Sequence, residues 1–327
     1  MDPAVALDLA FSAAQHWPII TGSPVLVMQR ENIVFKVDTV DGPHALRLHR
    51  AGYHSEAVIR SELEWMAMLS GKGFVAPQPA VTRSGGLVYR QKNAAGADRL
   101  FSLLSWLPGL PFGASHKPLQ HKGRQRLDLM RETGAKLAQL HLLTDSWQPS
   151  RQFQRPSWDR NGLVGPQPFW GRFWECANLS MTDLEWLCKL RSDCSLGLDI
   201  YERQGADMGL IHADLARENI LVDGSDVHFI DFDDSGFGYR MFDVATALIK
   251  NIHEPDYGSL RDALLQGYLK YKPLKTVDLD ALPLMMLLRS LTYLGWVNDR
   301  LQEPRMTEKA KRFLADVKYL SEGLSMT

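Results

Sequence analysis

From Val25 to His49, short apolar runs alternate with turn residues: Val25 to Met28, Ile33 to Val40, the turn Asp41-Gly42-Pro43, then Ala45 to Leu48. Runs of this length and period predict three antiparallel strands. On the third, side chains alternate between faces, so Ala45 and Arg47 share one face and Leu46 and Leu48 the other. The period then lengthens. Ser55 to Ser70 reads SEAVIRSELEWMAMLS, with a serine at the N-cap position and apolar residues three and four apart, which predicts a helix. Glu62 interrupts its apolar stripe among Val58, Ile59, Trp65 and Met66, whereas Glu64, beside Arg60 and Ser61, falls on the solvent side.

After Pro77 and Pro79, a hairpin around Gly85-Gly86 leads through Leu100 to Leu104 into Ser105-Trp106-Leu107-Pro108-Gly109, which reads as a hinge between lobes. Residues 1–107 are thus expected as an N-terminal lobe and 108–327 as a C-terminal lobe. In the second, Leu127 to Leu143 predicts a buried helix with apolar positions 127, 130, 134, 137, 138, 140 and 142, and His141 within it reads as structural. Residues 150–205 look like an insertion, rich in Pro, Gly and Trp before helical spacing from Met181. Its aromatics either wall an acceptor pocket or fill a small core of their own. Ile220-Leu221-Val222, Asp223-Gly224-Ser225 and Val227 to Ile230 predict two strands joined by a tight turn. Helices follow at Phe242 and over Leu279 to Leu301.

The segment Gly209 to Ser235, GLIHADLARENILVDGSDVHFIDFDDS, puts chemistry at the ends of these strands. Moving a γ-phosphoryl group requires a carboxylate at the accepting hydroxyl and separate oxygen ligands for Mg²⁺ on the phosphates. His212, Asp214 and Asn219 match the spacing of a kinase catalytic loop. Asp214, ahead of the hairpin, takes the base role. Asn219 and Asp231, at the same end of the hairpin, take the metal. Asp231-Phe232-Asp233-Asp234 crowds three carboxylates, a repulsion that a bound cation removes. Asp233 could join a second metal or orient the loop. Asp243, at the start of the next helix, is placed to hold the catalytic loop through its backbone amides.

A carboxylate buried alone costs several kcal/mol, so Glu62 needs a cation, and Arg47 on the neighbouring sheet is the best candidate. A glutamate snorkelling at the stripe's edge is the alternative. Ala45, small and beside Arg47, suits an adenine, with Arg47 on the phosphates. Met28 to Val34 contains no glycine, so Arg30 and Asn32 would meet phosphates through side chains as well as backbone. Backbone groups of Leu104, Ser105, Trp106 and Leu107 could meet the adenine edge. Asp233, Trp296 and Asp299 are candidates on the substrate side, a solvated helix end being the alternative for the last two.

Composition narrows the picture. With 327 residues, 45% hydrophobic and 23% charged, the chain has the makeup of a globular protein. A net charge of -1 offers no attraction to nucleic acid or anionic lipid. Cys176, Cys188 and Cys194 lack the spacing of a zinc site or disulfide framework. No basic leader precedes an apolar stretch, and the longest apolar run, Ala281 to Leu288, stops at Arg289, so a cytoplasmic protein without membrane contact is expected.

On these residues, most strongly HADLARENIL and FIDFDD, the chain from about Val25 to its last helices resembles the aminoglycoside phosphotransferase and choline kinase superfamily, which includes type II homoserine kinase-like proteins. The resemblance implies an α+β, bilobal protein-kinase-like fold: a small antiparallel-sheet N-lobe and a larger, mainly helical C-lobe. It implies ATP and Mg²⁺ as cofactors, and phosphorylation of a hydroxyl on an amino alcohol such as homoserine or choline, a sugar or an antibiotic. By position, Asp214 matches the catalytic aspartate, Asn219 and Asp231 the metal ligands, Glu62 the helix glutamate and Arg47 the strand cation. Arg47 departs from the lysine of many kinases, and the two cations bond phosphate differently. Ala213 stands where much of the family has glycine. A protein serine/threonine kinase ranks second, because only eleven residues separate Asp231 from Asp243, too few for a peptide-binding activation segment. A nucleotide-binding pseudokinase scaffold ranks third, since Asp214, Asn219 and Asp231 are all present. Acceptor identity, ATP against GTP, one metal or two, and oligomeric state stay open.

Overall fold

The alternating runs form strands as their period predicts. In the computed structural model, which describes residues 1–303 and 305–324, β1 (Val25–Gln29), β2 (Ile33–Thr39), β3 (Gly42–Leu48), β4 (Tyr89–Lys92) and β5 (Asp98–Ser105) build a five-stranded antiparallel sheet ordered β1-β2-β3-β5-β4. Its register sets Arg47 opposite Ser102 and Ala45 opposite Leu104. The chain divides into two units, the first comprising Met1–Gly109, Trp147–Arg155 and His228–Asp233, the second Leu110–Ser146, Pro156–Val227 and the chain from Asp234 onward.

In the first unit, Phe35, Val37, Leu46, Leu48, Phe101 and Leu103 pack with Ala6, Ala10, Ala13, Ala14 and Trp17. Those alanines belong to α1 (Pro3–Ala14), a helix the apolar pattern did not reveal because an alanine stripe carries little hydropathic contrast. Asp2 caps it through Ala4 and Val5 N–H, with Pro3 in the first turn. Helix α2 (Glu56–Gly71) starts at its expected cap, Ser55. Glu64 does not face open solvent: half-buried, it accepts Ser150 N–H and Oγ–H, both at 2.8 Å, and so pins the Trp147–Arg155 segment to α2. The hairpin expected at Gly85-Gly86 turns instead at Asn93 to Gly96. There Asn93 Oδ1 accepts Ala95 and Ala97 N–H and Gly96 takes φ 76°, while Gly85-Gly86 closes a separate turn on Thr82.

The second unit contains β6 (Leu110–Pro111), α3 (Gly123–Asp145), β7 (Ser157–Trp158), α4 (Arg160–Val164), α5 (Met181–Arg203), β8 (Met208–Ile211) and β9 (Ile220–Asp223). β10 (Asp226–Phe229) runs on into the first unit, and then come β11 (Gly236–Tyr239), α6 (Arg240–Ile249), α7 (Tyr257–Leu269), α8 (Thr276–Asp280), α9 (Leu282–Asn298) and α10 (Met306–Leu324). β11 pairs antiparallel with β8 and parallel with β7, which fixes the strand leading into the catalytic loop. Helices α3 and α7 touch along their backbones: a Cβ at Gly134 would sit 1.9 Å from Leu264 O, and one at Gly267 1.8 Å from Arg131 O. That close approach brings His141 to Tyr268. Leu142, expected inside, is 39% exposed, since α3 buries the face carrying Met130, Leu137 and His141. In the insertion, Trp158 packs on Phe169, Trp170 and Phe242 at ring distances of 5.0, 5.5 and 5.4 Å. Most of these aromatics therefore fill a core.

Candidate active site

The catalytic loop begins where β8 ends. Asp243, in the first turn of α6, accepts His212 N–H at 2.8 Å and Ala213 N–H at 2.6 Å, as its position predicted. Buried His141 supplies the remaining partner, its Nε2 lying 3.1 Å from Asp243 Oδ2 and its Nδ1 2.7 Å from Tyr268 Oη. Burial pushes the His141 imidazole down to about 4. A neutral ring donating from Nε2 to the carboxylate and accepting at Nδ1 from the phenol satisfies every partner. Between the two held amides, Ala213 takes φ 65°, the left-handed region that glycine occupies without strain.

This loop presents Asp214. Asn219, closing the 3-10 turn Arg217–Asn219, donates from Nδ2 to Asp214 O at 2.8 Å and to Oδ2 at 2.9 Å. Its Oδ1 is the atom left to serve as a metal ligand. The other Asp214 oxygen, Oδ1, accepts from Arg289 Nη2 at 2.5 Å. Arg289 had entered the sequence argument only as the end of an apolar run. One charged residue inside LPLMMLLRSLTYLGWV was the available signal, because a cation on a buried helix needs a partner. Its side chain is 0% exposed, against 21% for Asp214. The guanidinium lies over Trp170 at 4.4 Å, Tyr293 at 4.5 Å and Phe242 at 5.7 Å. Burial raises the Asp214 carboxyl to about 7, with Asp234 adding to the rise and Arg289 and Lys250 opposing it.

In the first unit, Arg47 Nη2 meets Glu62 Oε1 at 2.5 Å with the two side chains 6% and 0% exposed, so Glu62 is a buried partner and not a snorkelling one. Arg47 Nη1 also lies 3.8 Å from Asp231 Oδ1, whose side chain is 49% exposed. Arg47 Nε and Glu62 Oε2 are buried without a hydrogen-bond partner; the first can donate to a ligand oxygen or water, and the second can accept from water. Asp233 is buried, and Arg47, His54, His49 and Arg155 hold its carboxyl below the usual range against the effect of burial. Its backbone oxygen accepts from His54 Nε2 at 2.9 Å and from Arg155. These backbone contacts hold the segment that carries Asp231.

The remaining candidates divide. Asn32 Oδ1 accepts Arg50 N–H at 2.9 Å, closing the β1–β2 turn onto the chain after β3, and Arg30 in the same turn is exposed. Ser105 N–H bonds Gln78 O and Trp106 N–H bonds Pro43 O, so those two hinge donors serve the fold. Trp106 also carries Lys36 over its ring at 5.3 Å. Leu104 pairs with Ala45 beside them, and Leu107 follows the strand. At the end of α9, Trp296 carries Arg300 at 4.4 Å and Lys309 at 5.4 Å, and Asp299 lies against Gly171. Those contacts tie the helix end to its surroundings.

Among the described residues no group of three His, Cys, Asp or Glu side chains forms a self-contained metal cage. Mg²⁺ keeps waters and phosphate oxygens and takes one or two protein oxygens. Asn219 Oδ1 and the half-exposed Asp231 carboxylate are hard oxygen donors of that kind. Among the described residues no helix is long and apolar enough to cross a membrane.

Comparison with known proteins agrees with this chemistry. A homoserine kinase of Brucella ovis is 28% identical over 264 residues, covering 78% of this chain and 72% of its own. The structure of a microcompartment-associated aminopropanol kinase matches with a TM-score of 0.81 at 28% identity, covering 96% of this chain and 98% of that one. An amicoumacin kinase in complex with AMP-PNP, Ca²⁺ and its antibiotic shares the fold at a TM-score of 0.75 and 18% identity, over 97% and 93% of the two chains. The model of the APH phosphotransferase enzyme family matches residues 26–279, and the protein belongs to that family.

Proposed function

We propose that the protein moves the γ-phosphoryl group of ATP to a hydroxyl of a small amino-alcohol-type molecule in the cytoplasm, with Mg²⁺ as the metal. The acceptor oxygen bonds to phosphorus as the bond to the ADP oxygen breaks, and the hydroxyl proton passes to Asp214. Asp214 is suited to that role because Arg289 and Asn219 each hold one carboxylate oxygen, fixing its plane while the group stays partly open to solvent. Asn219 and Asp231 would hold Mg²⁺, which supplies neutralisation of charge on the phosphate oxygens. Arg47, fixed by Glu62, would steady the phosphates, and the adenine is assigned to the small Ala45 and the strand end at Leu104 to Leu107 beside it. Residues 1–107, with 147–155 and 228–233 of the same unit, would bind nucleotide, and the rest of 108–327 would carry the catalytic loop and the acceptor site.

The observation that carries this reading is the loop itself: Asp243 accepts two consecutive amides so that Asp214 and Asn219 bond each other at 2.9 Å. The test is ADP release across a panel of amino alcohols, hydroxy amino acids, sugars, antibiotics and casein. Asp214→Asn is expected to lower turnover by at least about 10²-fold, the usual weight of a general base, with Mg-ATP affinity kept. Turnover with casein alone, or an Asp214→Asn variant as active as the native protein, would refute the proposal.

A further inference from the structure

Lys250, at the C-terminal end of α6, is a cation the mechanism above does not use. Its Nζ lies 3.4 Å from the ring centre of Tyr293 and 4.8 Å from that of Phe313. Among the described residues it forms no ion pair. Burial, with Arg289 and Arg312 repelling it, brings its ammonium down to about 7 although Asp316 and Asp214 pull the other way; Asp316 is itself bonded to His253 Nε2 at 2.7 Å, and the Asp214 oxygens are held by Arg289 and Asn219. A half-buried lysine stacked on two rings without a direct carboxylate partner is stabilised in its charged form by an anion brought beside it.

Lys250 is one aromatic ring away from the catalytic carboxylate. Tyr293 carries Lys250 on its ring, and its hydroxyl lies 3.2 Å from Arg289 Nη2, the nitrogen that holds Asp214. The aromatic residues of this region are already occupied by the protein's own cations, Arg289 on Trp170, Phe242 and Tyr293, and Lys250 on Tyr293 and Phe313. They do not form an open cage for an acceptor's ammonium group, as an aromatic site for choline-like ligands requires.

We propose that Lys250 receives a carboxylate on the acceptor, so that the preferred substrates are hydroxy amino acids over amino alcohols that lack the acid group. The proposal rests on the phosphotransferase reading and narrows its substrate class. Three pairs of compounds differ only by that carboxylate: homoserine and 3-aminopropanol, threonine and 1-amino-2-propanol, serine and ethanolamine. Steady-state kcat/KM is measured for all six with the native chain, Lys250→Met and Lys250→Arg.

In at least one pair the native enzyme is expected to favour the acid by about tenfold or more, the weight of one charge-assisted hydrogen bond. Lys250→Met should collapse that ratio, and Lys250→Arg should retain most of it. A merely structural lysine would instead lower both members of a pair alike, leaving the ratio unchanged, and that result overturns the proposal. So does a native enzyme that favours the decarboxylated member of every pair, or turns over no carboxylate-bearing acceptor. Failure with all six compounds alongside turnover of a sugar or antibiotic overturns this proposal and leaves the phosphotransferase reading standing; no turnover with any compound overturns both.

Discussion

Replacing Arg289 with methionine removes the cation from Asp214 while keeping an apolar side chain of similar length among Trp170, Tyr293 and Phe242. Breaking a buried ion pair from one side costs about 3–5 kcal/mol, because the remaining charge is stranded. Here the stranded group is Asp214, 21% exposed and able to take a proton as burial raises its carboxyl, which puts the loss at the low end, about 3 kcal/mol. Three cation–π contacts are also lost, at about 0.5–2 kcal/mol each, and a thioether packing on the same rings returns part of this. A net destabilisation of about 4–5 kcal/mol is smaller than the stability of all but the most marginal domains.

Turnover should fall as well as stability. With one carboxylate oxygen released, Asp214 loses the orientation that makes it a base, and kcat should fall by about 10–10²-fold with KM for ATP nearly unchanged. The decisive measurement is a double-mutant cycle of Arg289→Met with Asp214→Asn, read by urea unfolding and by kcat. Contact at 2.5 Å predicts a coupling of at least about 1.5 kcal/mol in stability. Coupling below about 0.5 kcal/mol together with native kcat would show that the pair holds nothing.

Other perturbations are equally direct. Glu62→Ala should cost about 3–5 kcal/mol by stranding Arg47, and should raise KM for ATP more than it lowers kcat; denaturant midpoints and steady-state kinetics check both. His141 has a folded-state value near 4 against an ordinary 6.5, so the unfolded chain binds the extra proton between them. Its contribution, up to about 3 kcal/mol, is full above pH 6.5 and lost as pH falls toward 4, and unfolding free energies of His141→Gln should show a flatter slope in that window. Ala213→Gly should stabilise by about 1 kcal/mol by relieving the φ of 65°, visible as a higher melting temperature, and a lower one would argue against strain at this position.

The sequence was most legible where the physics is local. Period and caps located β2, α2 and the β9–β10 turn to within a residue or two, and β3 except that it begins three residues earlier, inside the expected turn, because each depends on neighbours a few positions away. Arg47 and Glu62 were paired by a charge argument alone. What escaped was structure whose signal is faint or shared: α1, made of alanines, and the β4–β5 turn, where Asn93 competed with a conspicuous Gly85-Gly86. Glu64 looked solvated because its partner, Ser150, lies 86 residues on.

The same distinction separates the reactive groups from their environment. A catalytic loop must carry its base and metal ligand within a few residues so that one backbone can hold them, and spacing therefore exposes Asp214 and Asn219. The groups that tune Asp214 need only meet it in space: Asp243 comes 29 residues later, Lys250 36 and Arg289 75, on helices whose packing follows from core apolar contacts. Acceptor choice belongs to this second class, because pockets are lined by side chains from distant elements. Acceptor choice can thus rest on a position such as Lys250 while the HADLARENIL loop stays as it is. If that is how this site is built, exchanging Lys250 should change acceptor preference without touching the loop, whereas exchanging Asp243 should depress every acceptor equally.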